Sequence, residues 1–163
     1  MERDLLTAAA VMTAAVAGGL AVRRWLLFVM VVDSVSMAPT LAPGRRVLTR
    51  RFRHKGRIRR GDVLVFTSPE LGRMVVKRVL GLPGEQVVIE ATGLIRVNGT
   101  PVPEPYVAKP CGPGGTFQVP PGHLLLLGDN RACSSDSRHW KWPYVPATAV
   151  RGTAIATRRD RVS

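Results

Sequence analysis

The sequence contains very few cysteines, only Cys111 and Cys133 among 163 residues. They do not form a Cys-x-x-Cys pair and no second pair accompanies them, so the pattern does not indicate structural zinc. A single disulfide, if the domain lies outside the cytosol, and two unpaired thiols are both open alternatives. A zinc site that adds His123 and His139 lacks the spacing of metal ligands. We therefore expect no metal and no cofactor.

Acidic residues and lysines are also scarce. The chain has 11 acidic residues against 24 basic ones, which gives a formal net charge of +13. Such a charge is typical of nucleic-acid-binding proteins, but a composition rich in Arg, Ala, Gly and Pro also follows from a GC-rich coding sequence. We expect no nucleic-acid partner. Only four of the basic residues are lysines: Lys55, Lys77, Lys109 and Lys141.

The N-terminal region carries no charge over residues 5–22, a length close to that of a membrane-spanning helix. Arg23 and Arg24 follow, and a second apolar run covers residues 25–32. A cleavable signal peptide fits less well, because the opening Met-Glu-Arg-Asp has no positive excess. We predict a membrane anchor over residues 1–32 with one transmembrane helix; a helix that runs on through Val32 would let both arginine side chains reach the interface. Because positive residues favour the cytoplasmic side of a membrane, the two arginines argue against placing the domain that follows them outside the cytoplasm. Long domains, however, cross membranes largely regardless of charge.

Residues 33–163 lack long helix-like stretches and hold all 13 prolines of the chain. Asn98-Gly99 is typical of a two-residue hairpin turn, and residues 101–121 predict a long irregular loop. We predict one mainly β domain, with an antiparallel sheet or partly open barrel. Strands are expected at residues 46–50, 62–66, 74–80, 86–90, 94–97, 123–127 and 150–156.

Residues 45–60 form a dense basic segment in which nine residues are Lys or Arg. A solvated arginine-rich hairpin needs no partner to explain it. Contact with anionic lipid head groups is the second interpretation, because the segment follows the predicted span closely. Nucleic-acid contact is the third. Membrane lipid is the partner that we carry forward.

Lys77 lies in an apolar, strand-like run at residues 74–80 (MVVKRVL). Alternate residues of a strand share a face, so Lys77 lies with Val75 and Val79. Burial among apolar side chains lowers the pKa of an ammonium group, and a lysine base needs a pKa of about 7–8 near neutral pH. Arginine does not deprotonate in proteins. In a chain that otherwise uses arginine, a lysine at this position indicates a role that needs a neutral amine. The simpler alternative is that Lys77 lies at a strand edge and its side chain reaches solvent.

Ser34 and Ser36 lie in a turn-like segment directly after the apolar N-terminal region. A serine hydroxyl becomes a nucleophile when a base accepts its proton, and a Ser–Lys dyad is one arrangement that achieves this. In an extended chain Ser34 would add a hydroxyl donor beside the main-chain N–H of Ser36, which makes two donors for an oxyanion. Serine-rich turns are common, so this segment alone is a weak signal.

Three motifs, in this order, resemble the type I signal peptidase family. They are S-x-S-M-x-P-T-L from Ser34, K-R-V-x-G-L-P-G from Lys77 and G-D-N-R-x-x-S-x-D-S-R from Gly128. The resemblance implies a β-rich, single-pass membrane protein with its catalytic domain on the extracytoplasmic side. It also implies removal of signal peptides from exported preproteins by cleavage after small residues at −1 and −3.

By position, the resemblance also implies roles for individual residues. Ser36 matches the nucleophile and Lys77 the general base, while Ser34 matches the side-chain oxyanion donor. Ser134 matches the hydroxyl that orients the lysine. Asp136 and Arg138 match a supporting ion pair. The turn that delivers Ser134 matches Gly128, Asp129 and Asn130.

The chain departs from the family pattern at Glu85, where Asp is usual, and at residues 139–143 (HWKWP), where a small glycine-containing turn is commoner. A protease specialised for one client therefore stays open. A Ser-His-Asp hydrolase using His123 or His139 with an aspartate is disfavoured, because no G-x-S-x-G elbow is present. Two further alternatives are a non-catalytic, membrane-tethered basic binding module and a soluble Ser–Lys autoprotease, which would lack the N-terminal span.

Overall fold

The computed structural model describes residues 2–52 and 57–155. Within these ranges an N-terminal helix, α1, covers Glu2–Trp25, and three turns of 3-10 helix cover Val35–Met37, Arg131–Cys133 and Ala147–Ala149. The strands are β1 (Leu27–Val31), β2 (Arg46–Arg51), β3 (Val63–Thr67), β4 (Met74–Gly81), β5 (Gln86–Ile89), β6 (Ile95–Val97), β7 (Thr100–Pro101), β8 (Gly115–Gln118), β9 (His123–Leu127), β10 (Tyr144–Pro146) and β11 (Val150–Ala154).

The strands form two antiparallel sheets. The larger sheet has the order β1-β2-β11-β3-β4-β9-β10, and the smaller one has the order β7-β6-β5-β8. Every pairing is antiparallel in both sheets. The predicted mainly β, antiparallel fold is confirmed, and the predicted strands agree with the observed ones to within two residues at each end.

Strand β9 shows how the core is divided. Its side chains are buried on both faces, which explains the unbroken apolar run Leu124–Leu127 in place of an alternating pattern. Leu124 and Leu126 pack with Phe66 of β3 in one cluster. Leu125 and Leu127 pack on the other face with residues of the smaller sheet. A third cluster lies under the serine turn and consists of Val32, Met37, Leu41, Val47, Val65 and Val76.

The predicted hairpin turn at Asn98-Gly99 is confirmed. It joins β6 to β7, with Val97 opposite Thr100. Both turn residues have positive φ angles, 49° for Asn98 and 81° for Gly99. This is the geometry that two-residue hairpins require, and Asn and Gly adopt it with the least strain.

A helix that runs on through Val32 is not observed. The helix ends at Trp25, and Leu27–Val31 forms strand β1, which pairs with β2 along all five of its residues. The side chains of Phe28 and Met30 pack on the third core cluster, so alternation and pairing outweigh the uniform apolar character of the run. Among the residues that the structure describes, no helix combines the length and apolar character needed to cross a bilayer.

Two further strands lie where none was predicted. Strand β8 falls within the expected irregular loop and pairs with β5, and β10 pairs with β9 at the sheet edge. Both are short, and a strand of three or four residues leaves little periodicity to recognise. Part of the basic segment and the end of the last predicted strand lie outside the described residues, at 53–56 and 156.

Candidate active site

The structure brings Ser36 and Lys77 into direct contact. Lys77 Nζ donates a hydrogen bond of 2.7 Å to Ser36 Oγ, although the two residues are 41 positions apart in sequence. Both side chains are buried, with 5% of Ser36 and 4% of Lys77 exposed. When the amine is neutral, the same contact allows its lone pair to accept the proton of the hydroxyl.

Two local structures hold this pair in place. Lys77 lies in β4, opposite Leu64 of β3, and Ser36 lies in the turn Val35–Met37, which Met37 anchors in the core. Asn130 fixes the turn from the other side. Its main-chain N–H donates to the carbonyl of Ser36 at 3.0 Å, and its Nδ2 donates to the carbonyl of Val35 at 3.2 Å. Asn130 thus holds the turn that carries Ser36, through contacts that the sequence motif did not reveal.

Burial lowers the pKa of Lys77 from 10.5 to about 8. Desolvation of the ammonium group is the main cause. The carboxylates of Asp136 and Asp129 oppose it, while the positive charges of Arg138 and Arg73 add to it. A substantial fraction of the amine is therefore neutral in mildly alkaline solution.

Ser34 and Ser134 both lie close to this pair, but in different states. Ser34 Oγ is 3.0 Å from Ser36 Oγ, within hydrogen-bond distance. Ser134 Oγ is buried and has no hydrogen bond of good geometry among the described residues, although its hydroxyl lies near enough to Asp136 to help lower the pKa of that carboxyl. The oxyanion role of Ser34 and the lysine-orienting role of Ser134 stay predictions.

Asp136 and Arg138 form a fully buried ion pair with two hydrogen bonds. Arg138 Nε donates to Asp136 Oδ1 at 2.8 Å and Arg138 Nη2 donates to Oδ2 at 2.9 Å. Burial alone would raise the pKa of Asp136, but Arg138 and the N–H of Gly128 together lower it below its usual value. Arg138 also donates to the carbonyls of Cys111 and Arg131. The pair thus ties the irregular loop to the turn that carries Ser134.

Gly128 is a point of close approach within this turn. A Cβ atom at this position would lie 2.5 Å from the carbonyl oxygen of Ser36 and would overlap Ser134 Oγ. Only glycine therefore allows the chain directly after β9 to lie beside the turn that carries Ser36.

A second buried ion pair, between Arg78 and Asp129, was missed by the sequence analysis. Arg78 donates to Asp129 through Nε at 2.8 Å and through Nη2 at 2.6 Å. Thr40 Oγ1 donates to Asp129 Oδ2 at 2.5 Å, and the Arg78 guanidinium lies 3.8 Å from the ring centre of Tyr106. Each of the three motifs contributes one residue to this group, namely Thr40, Arg78 and Asp129. The opposite charges of Arg78 and Asp129 were the signal available in the sequence.

The reactive pair opens onto a cleft of about 180 Å³. Residues at the end of β1 and residues of β4 line it together, although β2, β11 and β3 separate these strands in the sheet. The larger sheet therefore curls on itself. Cys133, which is unpaired like Cys111, also lines the cleft. The complete lining is Met30, Val32, Asp33, Ser34, Ser36, Leu71, Arg73, Met74, Val75, Val76, Lys77, Cys133 and Ser135.

Comparison with known proteins identifies the family. A profile of the family described as signal peptidase, peptidase S26, matches residues 4–157. The chain belongs to this family. The signal peptidase I of Leptolyngbya laminosa is 36% identical over 146 residues, which cover 83% of this chain and 70% of that protein. The signal peptidase I V of Bacillus subtilis is 37% identical over 125 residues, which cover 67% of this chain and 73% of that protein.

A solved structure supports the same assignment. The crystal structure of a signal peptidase I from Enterococcus faecalis V583 superposes with a TM-score of 0.55 at 31% identity, covering 60% of this chain and 97% of that one. The protein is therefore a serine endopeptidase of the signal peptidase I type, within a membrane-associated family. In this signal peptidase neither His123 nor His139 lines the cleft; His123 Nδ1 lies 2.9 Å from the carbonyl oxygen of Pro121 instead.

Proposed function

We propose that this signal peptidase removes signal peptides from exported preproteins with a Ser36–Lys77 dyad. The observation that carries the proposal is the 2.7 Å contact between a buried lysine amine and a buried serine hydroxyl. Neutral Lys77 takes the proton of Ser36, and Oγ attacks the scissile carbonyl carbon. Lys77 then returns the proton to the leaving amine, and a water activated by the same amine hydrolyses the acyl-enzyme ester.

The developing oxyanion needs donors beside the attacked carbonyl. In our proposal these are the Ser34 hydroxyl and the main-chain N–H of Ser36, since Ser34 Oγ already lies 3.0 Å from the nucleophile. Loss of one such donor typically costs a factor of about 10²–10³ in kcat. The unpartnered Ser134 hydroxyl would turn toward Lys77 and hold its lone pair on Ser36.

Cleavage after small residues at −1 and −3 fits the edge of β4. Strand β9 pairs with β4 only from Arg78 onward, so within the described chain the same edge of residues 74–77 has no strand partner. An extended peptide would add there through main-chain hydrogen bonds. Its alternate side chains, at −1 and −3, would then face the same wall. That wall contains Met30, Val32 and Val75, which leave room for small side chains.

The N-terminal region is proposed as the membrane anchor, with the β-rich peptidase domain of residues 33–163 on the extracytoplasmic side. Because β1 belongs to the sheet, the anchoring part of residues 1–32 is α1. Its large apolar side chains, such as Leu6, Val11 and Leu20, are 60–71% exposed, and a bilayer would cover them. Exposed Arg46 and Arg50 on β2 support lipid head-group contact by the basic segment.

No observation favours a protease specialised for one client. The unusual residues 139–143 do not line the cleft in the described chain. Trp140 is instead buried against Phe66, with ring centres 6.2 Å apart, and Trp142 packs on Tyr144 at 5.4 Å. The departure from the family pattern is therefore a packing difference at the β10 edge.

The test uses the detergent-solubilised protein and a preprotein with an Ala-x-Ala site. Wild type should cut after the second Ala, as shown by mass mapping, and Ser36→Ala and Lys77→Arg should each lose at least about 10³-fold in kcat/KM. Lys109→Arg, the same change on the exposed loop, should cleave normally. Unchanged cleavage in Ser36→Ala would refute the dyad and leave a non-catalytic basic module as the alternative.

A further inference from the structure

The peptide cleft has a charged end that none of the family motifs includes. Arg73, directly before β4, lines the cleft together with Ser36 and Lys77. Its side chain is exposed, and among the described residues its guanidinium forms no ion pair. An unneutralised cation at the end of a groove that holds an extended peptide acts on whichever peptide side chain lies next to it.

Strand geometry fixes which substrate position this is. Arg73 continues the β3–β4 ladder, because the main-chain N–H of Ser68 donates to its carbonyl oxygen at 2.9 Å, so Arg73, Val75 and Lys77 lie on the same face. In the proposed function, which this argument relies on, the −1 residue lies beside Lys77 and the −3 residue lies one pleat further, toward Val75. Arg73 and Leu71 also line the cleft. The next side chain on the same face of the peptide is that of the −5 residue, beside Arg73.

We propose that Arg73 is a specificity-determining residue that reads the charge of the substrate side chain at −5. It favours an acidic residue there and disfavours Lys or Arg.

Arg73 also acts on the general base. Its positive charge lowers the pKa of Lys77, in the same direction as burial and Arg138, and against Asp136 and Asp129. Removal of the Arg73 charge should therefore raise the pKa of Lys77 and move the acid limb of the pH–rate profile to higher pH. A residue that only packs against the peptide would leave this limb in place.

The experiment compares three peptides that differ only at −5, with Glu, Gln or Lys, each ending in Ala-x-Ala before the cleavage site. For the wild-type full chain in detergent, we expect kcat/KM to fall in the order Glu, Gln, Lys, by about two- to fivefold at each step. In Arg73→Gln the order should flatten, and in Arg73→Glu it should reverse. Arg96→Gln, the same charge change on the smaller sheet, should keep the wild-type order.

The outcomes separate this inference from the proposed function. Cleavage that depends on Ser36 but shows the same −5 order in wild type and Arg73→Gln overturns the role of Arg73 alone. If wild type cuts none of the three peptides, the proposed function fails and the −5 assignment fails with it. Should Arg73→Glu fold poorly, the Arg73→Gln ratios and its shifted acid limb still decide the question.

Discussion

At the scale of single residues, keeping the amine of Lys77 neutral has a cost in free energy that the fold must supply. A shift of the pKa from 10.5 to about 8 corresponds to about 3 kcal/mol against the charged form. The apolar flank of the lysine was evident in the sequence, and so was the need for a neutral amine. The 2.7 Å contact with Ser36 was not, because it depends on a turn and a strand that are far apart in the chain.

The pH dependence of cleavage follows from this pKa. In the proposed mechanism Lys77 must be neutral, so its protonation below the pKa would remove activity, and kcat/KM should rise about tenfold per pH unit up to pH about 8. Above that pH it should level off. Initial rates between pH 6 and 9.5, on a peptide without titrating side chains, provide the measurement. A profile that stays flat across this range would rule out Lys77 as the base.

At the scale of secondary-structure elements, the second ion pair joins parts of the chain that catalysis needs together. Arg78 on β4, Asp129 after β9 and Thr40 after the serine turn meet in one hydrogen-bonded group. Sequence alone predicted β4 and β9 well, since their apolar runs are long. It misassigned β1, because a short apolar run beside a helix has no feature that marks the change to a strand.

Removal of the Arg78 charge should destabilise the domain strongly. In Arg78→Gln the Asp129 carboxylate, whose side chain is 1% exposed, would stay buried without its partner, and we expect a loss of about 3–5 kcal/mol in the free energy of unfolding. Arg96→Gln is the matched control, because the Arg96–Glu90 pair is 46% and 33% exposed and should contribute at most about 1 kcal/mol. Urea unfolding of the solubilised proteins gives both values, and equal losses would contradict a structural role for the buried pair.

At the scale of the whole molecule, the described chain divides into an exposed helix and a β-rich domain that contains every proposed catalytic residue. The antiparallel β architecture was predictable from turn residues and strand-length apolar runs. The curl that brings the end of β1 to β4 was not, because it is the sum of small twists over several strands.

Deletion of residues 2–24 tests this division. We expect the shortened protein to cleave short peptides at nearly the wild-type rate, since the helix contributes nothing to the cleft lining. It should bind vesicles of neutral and anionic phospholipid much less than the full chain does, because the exposed apolar side chains of α1 are lost. Flotation assays measure the binding, and equal flotation of both proteins would show that α1 is not the anchor.

The short path from α1 to the serine turn has a kinetic consequence. The helix ends at Trp25, β1 is held by its pairing with β2, and Ser36 follows soon after. Eleven residues reach no further than about 40 Å even when fully extended. With α1 in the bilayer, as proposed, Ser36 would lie within that distance of the membrane surface. Enzyme and substrate would then meet by lateral diffusion in two dimensions, so the surface density of preproteins, more than their bulk concentration, would set the rate of encounter.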